Sequence, residues 1–165
     1  MLRFLVTLFA ILAATPAAYA DARKDCLDLS GEIAVQNCNA ALKAASNDVK
    51  LLMARGYEYN HLKDYDRGLA DYTKASQLEP NNADAYHGRG YSYAGKNQYD
   101  LAIAEYNKTI RLKPNNYVAY TDRGIAYFYK GQYERAIQDY DAALKIKPDY
   151  DNATKNRAAA IAKKK

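Results

Sequence analysis

The chain has 165 residues, of which 26% are charged, with a formal net charge of +5, and a length of this order suits one small domain. The positive balance does not describe a nucleic-acid surface, which needs its cations gathered on one face. Arg3 and the five cations among residues 155–165 account for it, leaving residues 21–154 at −1. Beyond the first twenty positions no apolar run is long enough to span a bilayer, so stable membrane insertion is not expected.

The chain opens with Met1-Leu2-Arg3, an apolar run from Phe4 to Ala14, and the small-x-small triplet Ala18-Tyr19-Ala20. That layout is a secretory signal peptide over residues 1–20, cut after Ala20. A lipoprotein signal is not expected, because Lys24-Asp25 precede Cys26. The working protein is thus expected to be exported, to a periplasm or the extracellular space. Two cysteines remain, Cys26 and Cys38, and an even count in an oxidising compartment points to a disulfide. Closing that loop is worth about 3 kcal/mol in the chain-entropy picture. The competing reading is a metal or redox pair, against which stand the lack of Cys-x-x-Cys and of two further close ligands.

From residue 49 onwards the chain repeats itself. Pro80, Pro114 and Pro148 are 34 residues apart. Ahead of them stand Leu52-Met53-Ala54-Arg55-Gly56-Tyr57-Glu58-Tyr59, then Tyr86-His87-Gly88-Arg89-Gly90-Tyr91-Ser92-Tyr93. The third copy reads Tyr120-Thr121-Asp122-Arg123-Gly124-Ile125-Ala126-Tyr127. Gly68 and Tyr72, Ala102 and Tyr106, and Ala136 and Tyr140 keep the same register. A fixed period of this length is the mark of a stacked helical array. Glycine inside a helix costs about 1 kcal/mol against alanine, so Gly56, Gly90 and Gly124 imply a close neighbour. Each proline ends a helix, and Asn97 with Asp100 and Gly131 with Glu134 resemble caps on second helices.

On these residues Val49–Tyr150 resembles three copies of the tetratricopeptide repeat. The resemblance implies an all-α, right-handed solenoid of antiparallel helix pairs whose first helices line a concave groove. Tyrosine or leucine stands here in place of the usual tryptophan, Arg55, Arg89 and Arg123 in place of a leucine, and Tyr72, Tyr106 and Tyr140 in place of a phenylalanine. Extending the rhythm backwards sets Ala34, Cys38 and Ala41 against Gly68, Tyr72 and Ala75. Residues 21–48 then read as an irregular first hairpin, broken near Ser30-Gly31 and stapled by the cysteines. Forwards, residues 151–165 form an alanine-rich capping helix with a basic tail, for about nine helices in all.

No catalytic constellation, metal cluster or cofactor motif is expected: the chain lacks His-Glu-x-x-His, a phosphate loop and a nucleophile elbow. His61 and His87 would lie roughly 12 Å apart along the helix axes and about 10 Å sideways, too far to share an ion. Arg55, Arg89 and Arg123 each have an acid sixteen residues on, Asp71, Glu105 and Asp139. That spacing favours an ion pair inside each hairpin, stacked on tyrosine, over a row of ligand-facing cations.

The residues expected to face the groove are Met53, Tyr57, Asn60 and His61, then His87, Tyr91 and Ala94, then Thr121, Asp122, Ile125, Phe128 and Tyr129. Aromatics and methionine on an accessible face suit protein recognition. Some relatives grip a terminal carboxylate with Lys, Asn and Arg. The matching positions here are Ala54, Gly88 and Asp122, so that grip is not expected. Ala94 and Gly95 should leave a dip between Tyr91 and the Phe128-Tyr129 pair. The reading is an exported adaptor that holds a peptide or protein segment. Its alternatives are a self-associating structural protein and, if a cysteine were free, a thiol enzyme.

Overall fold

A computed structural model describes residues 15–164. Most of the expected signal segment, residues 1–14, lies outside the described residues. These form nine helices and no strand, in the order α1 (Pro16–Asp28), α2 (Gly31–Ala44), α3 (Val49–His61), α4 (Tyr65–Leu78), α5 (Ala83–Gly95), α6 (Tyr99–Leu112), α7 (Tyr117–Tyr129), α8 (Tyr133–Ile146) and α9 (Asp151–Lys164).

Local chemistry sets these limits. Asp48, Asn82 and Asn116 cap α3, α5 and α7, their side chains accepting backbone N–H groups of the first turn. At the far end of each pair, Glu79, Lys113 and Lys147 leave the helical region directly before the three prolines, because a proline ring crowds the residue ahead of it. The expected caps at Asn97 and Gly131 are corrected. Gln98 and Gln132 hold the N-cap positions without a side-chain bond, while Asn97 and Gly131 adopt positive φ of 59° and 72° inside the hairpin turns. They reverse the chain, a job that small or amide residues do at least cost.

Helices pack in chain order, and beyond that only the odd-numbered ones touch: α1 with α3, α3 with α5, α5 with α7 and α7 with α9. A stack drawn together along one side curves towards that side. The odd helices therefore form its inner wall. Between the layers lie Tyr72, Tyr106 and Tyr140, which are 5%, 1% and 1% exposed. Gly90 and Gly124 make room for them, since a Cβ there would meet the rings of Tyr106 and Tyr140 at 2.7 Å.

The arginine ladder is internal. Arg55 donates through Nε and Nη2 to both oxygens of Asp71, at 2.8 and 2.6 Å, and through Nη1 to Asn39 of the preceding hairpin at 2.7 Å. Arg123 repeats this with Asp139 and Asn107. Arg89 donates Nη2 to Glu105 and Nη1 to Ser76. Their guanidinium groups lie over Tyr59, Tyr120 and Tyr86 respectively. The last rung differs: Arg157 reaches back to Asp141.

At the N-terminal end Cys26 and Cys38 are joined in a disulfide and buried with Ala41, Leu42, Leu51 and Leu52. Glu58 of α3 accepts the Gly31 N–H at 2.6 Å, which satisfies the start of α2 where Ser30 makes no side-chain cap. The basic tail is not wholly free: Lys164 lies 3.6 Å from Glu134. That pair continues the bonds of Lys96 to Asp66 and of Lys130 to Asp100, one per hairpin.

Candidate functional site

The inner wall carries two adjoining cavities. The first, about 320 Å³, lies between α3, α5 and α7. Tyr57, Asn60 and His61 enter it from α3, His87, Gly88 and Tyr91 from α5, and Val118 and Asp122 from α7, with Tyr72 of α4 also in its lining. The second, about 330 Å³, shares Tyr91 and is bounded by Tyr65, Ala94, Gly95, Asn97, Tyr99, Ile125, Ala126 and Tyr129. A larger hollow of about 550 Å³ between α2, α3 and α4 is lined partly by Arg55 and Lys74. Arg55 is committed as above and Lys74 to the Ser46 carbonyl, while Lys43, also in the lining, is exposed.

Helical spacing explains the first cavity. Residues four apart on a helix share a face, so Tyr57 and His61 stand together, with ring centroids 4.2 Å apart. His87 and Tyr91 also share a face of α5, and the His87 ring lies 5.6 Å from that of the buried Tyr106. Tyr57 and Tyr91 keep 55% and 47% of their surface exposed, large values for aromatic rings and enough to offer a face to a ligand. His87 Nε2 and Asp122 Oδ2 are 2.8 Å apart, linking α5 to α7. Gly88 lies on the floor, where a Cβ would fall 2.3 Å from the Tyr72 ring. Burial, and after it the charge of Asp71, raises the pKa of the Tyr72 phenol. Burial likewise raises Tyr91, with smaller contributions from Tyr65 and Asp122. Both phenols therefore stay neutral at physiological pH.

The structure distributes the expected groove residues over three settings. Tyr57, His61, His87, Tyr91 and Asp122 meet in the first cavity, and Ile125 and Tyr129 in the second, together with Ala94. Asn60 borders the first cavity but is only 5% exposed. Its amide donates to the Gly88 carbonyl, and its oxygen accepts the Ser92 hydroxyl at 2.9 Å, so it locks α3 to α5. Thr121 is fully buried and donates to the Tyr117 carbonyl. Met53 packs against the disulfide-end cluster, with its sulfur 3.5 Å from the Asn82 amide. Phe128 is turned towards Tyr133 of α8, centroids 5.4 Å apart, and lines neither cavity. The dip at Ala94-Gly95 is present, but its walls are Tyr91, Tyr65, Tyr99 and Tyr129. Tyr99 and Tyr129 stack at 5.3 Å.

Tyr72, Val118, Tyr65 and Tyr99 also line the cavities, although their places in the repeat do not mark them as groove residues. The first, third and fourth belong to second helices or to their first turns, and reach the groove only where a hairpin meets its neighbour. The one available signal was Gly88, the smallest residue at its position among the three copies. No group of three potential metal ligands is assembled among the described residues, and none of their helices is long and apolar enough to cross a membrane.

Comparison with known proteins gives one picture. Residues 49–82, 71–104 and 117–150 match models of the tetratricopeptide repeat, and residues 90–128 match a further model described as TPR repeat. The peptidyl-prolyl cis-trans isomerase FKBP4 of Bos taurus is 43% identical over 49 residues, 30% of this chain and 11% of that protein. The chain thus spans about a tenth of that relative's length. The first TPR of Spaghetti (RPAP3), solved bound to the HSP90 peptide SRMEEVD, superposes with a TM-score of 0.68 at 26% identity, covering 71% of this chain and 93% of that one. The MamA protein shares the fold at a TM-score of 0.78 and 24% identity, over 90% of this chain and 81% of that one.

Proposed function

The chain belongs to the tetratricopeptide-repeat family, and from that premise we propose that it is an exported adaptor whose inner wall binds a peptide segment of a partner protein. The observation that carries this reading is the pair of adjoining cavities that share Tyr91. Two pockets divided by one half-exposed ring suit successive side chains of an extended peptide, and half-exposed aromatic rings are what protein contacts use as anchors. The similar repeat domain that holds an HSP90 peptide supports the same use of the fold.

Export is supported by the signal-like residues 1–20 and by the cysteine pair, which persists in oxidising compartments. Cleavage after Ala20 would leave α1 to begin at Asp21. Mass spectrometry of the protein from a periplasmic fraction should find that N-terminus; a full-length chain retained in the cytoplasm would remove the export reading. For the groove, Tyr91→Ala should abolish cross-linking capture of partners without loss of helical circular dichroism, whereas undiminished capture would refute it.

A second reading, self-association, draws on Leu27, Leu29 and Ile33, which are 43%, 44% and 61% exposed around the α1–α2 turn. Sedimentation over a range of concentrations separates it from the first, because only self-association makes the mass grow with concentration.

A further inference from the structure

We infer that the cavity between α3, α5 and α7 receives the cationic side chain of a basic peptide, arginine or lysine, with Asp122 as its counter-ion. This rests on the groove being the peptide-binding face, and it adds the chemistry of what enters.

Charge complementarity carries the argument. The lining holds one carboxylate, exposed phenol rings and two imidazoles, but no lysine or arginine. The arginines of the same three helices are committed inside the hairpins to Asp71, Glu105 and Asp139, so they do not neutralise Asp122. His87 holds Oδ2 of Asp122 and fixes the plane of the carboxylate, while Oδ1 has no hydrogen-bond partner among the described residues. A guanidinium or ammonium group can donate to that oxygen, and a charge-assisted bond of this kind is stronger than a neutral one.

The rings favour the same guest. Tyr57 and Tyr91 present half-exposed faces, and a cation is attracted to the electron-rich face of a phenol. Burial is the leading cause that raises the phenols of Tyr91, Tyr106 and Tyr140, and the Asp122 charge contributes in all three. Its charge is therefore felt by Tyr91 on the inner wall and by the two buried rings beneath it.

An anionic guest meets the opposite conditions. Asp122 repels it, and the floor at Gly88 offers no side-chain donor and has no room for one beside Tyr72. The adjoining cavity has no charged residue in its lining, so it suits an apolar side chain of the same peptide.

The test uses the full mature chain, 15N-labelled, and four end-blocked peptides that place Arg, Lys, citrulline or Glu at the centre of acetyl-Gly-Leu-Gly-X-Gly-Leu-Gly-amide. The Arg or Lys peptide should shift the amides of Tyr57, Tyr91 and Asp122 saturably, with the uncharged citrulline peptide weaker by about tenfold. Asp122→Asn keeps the size of the side chain and should erase that preference, and Asp122→Lys should transfer it to the Glu peptide. The dispersion of each variant's spectrum reports whether it is folded. Equal binding of the citrulline or Glu peptide by the native protein overturns the cation assignment and leaves the groove reading standing. If none of the four peptides moves those amides, both fall.

Discussion

The second hairpin carries a defect that one methylene group should mend. In the first and third hairpins an aspartate receives both Nε and Nη2 of its arginine, as Asp71 does from Arg55 and Asp139 from Arg123. In the second, Glu105 receives only Nη2 of Arg89, and Arg89 Nε is buried with no partner. The backbones do not explain the difference. A Cβ on Gly56 would lie 3.3 Å from the Asp71 Cβ, and one on Gly90 would lie 3.2 Å from the Glu105 Cβ. An aspartate at 105 would therefore start from the same place as Asp71 and reach the same two donors. A buried unsatisfied donor costs about 1–3 kcal/mol, and losing one half-buried methylene costs up to about 0.8 kcal/mol. Glu105→Asp should thus stabilise the fold by about 1 kcal/mol, or about 2–4 °C in midpoint for a chain of this size. Asp139→Glu should cost a similar amount by recreating the defect. Urea unfolding followed by circular dichroism, with an unchanged m-value, measures both. A lower midpoint for Glu105→Asp with no change for Asp139→Glu would refute the account of carboxylate reach.

Two further outcomes follow from burial and from the crosslink. Tyr72, Tyr106 and Tyr140 have raised pKa values, with burial the first cause of each. Above the ordinary value of 10.0 the unfolded chain sheds protons that the native state keeps. Stability should be undiminished below that pH and fall above it, by up to about 1.4 kcal/mol per pH unit for each ring. Absorbance of tyrosinate at alkaline pH should show three of the 17 tyrosines ionising only as helicity is lost; early ionisation of all would contradict it. Reduction of the Cys26–Cys38 bond should cost about 3 kcal/mol, concentrated in α1 and α2 because repeat arrays fray from their ends. Hydrogen exchange should quicken there while α5 to α8 stay protected, and uniform quickening would show that the staple acts globally.

What the sequence disclosed and what it withheld divide along one line. Most of what recurs within a hairpin could be read from the 34-residue spacing: the helices, the recurrent tyrosines and the pairing of Arg55, Arg89 and Arg123 with acids sixteen residues on. The caps expected at Asn97 and Gly131 are the exception, since both residues take positive φ in the turns. Contacts between hairpins could not, because they depend on how far one copy is turned against the next. Asn60 is expected on the groove, yet the neighbouring hairpin covers it through Gly88 and Ser92. Phe128 is expected on the same face, yet it packs on Tyr133 and lines neither cavity. His87 and Asp122 meet across 35 residues, one more than the period. Within the periodic pattern they fall at different positions of their copies, and only stacking shows that they touch.

The ion pairs Asp66–Lys96, Asp100–Lys130 and Glu134–Lys164 join residues with the same separation in every case. The hairpins α5–α6 and α7–α8 therefore each offer an acid to the next element and a base to the one before, like bricks moulded with one tongue and one slot. The α3–α4 hairpin supplies only the acid, since Leu62 stands where Lys96 and Lys130 stand later. An extra copy of residues 83–116 spliced in after Asn116 would inherit both halves of the joint, so the length of the array is a quantity that duplication can alter without any new fitting. The pairs are too exposed to hold the stack together by themselves. What they supply is interchangeability, and with it a route by which a groove of this kind can be lengthened to match a longer guest.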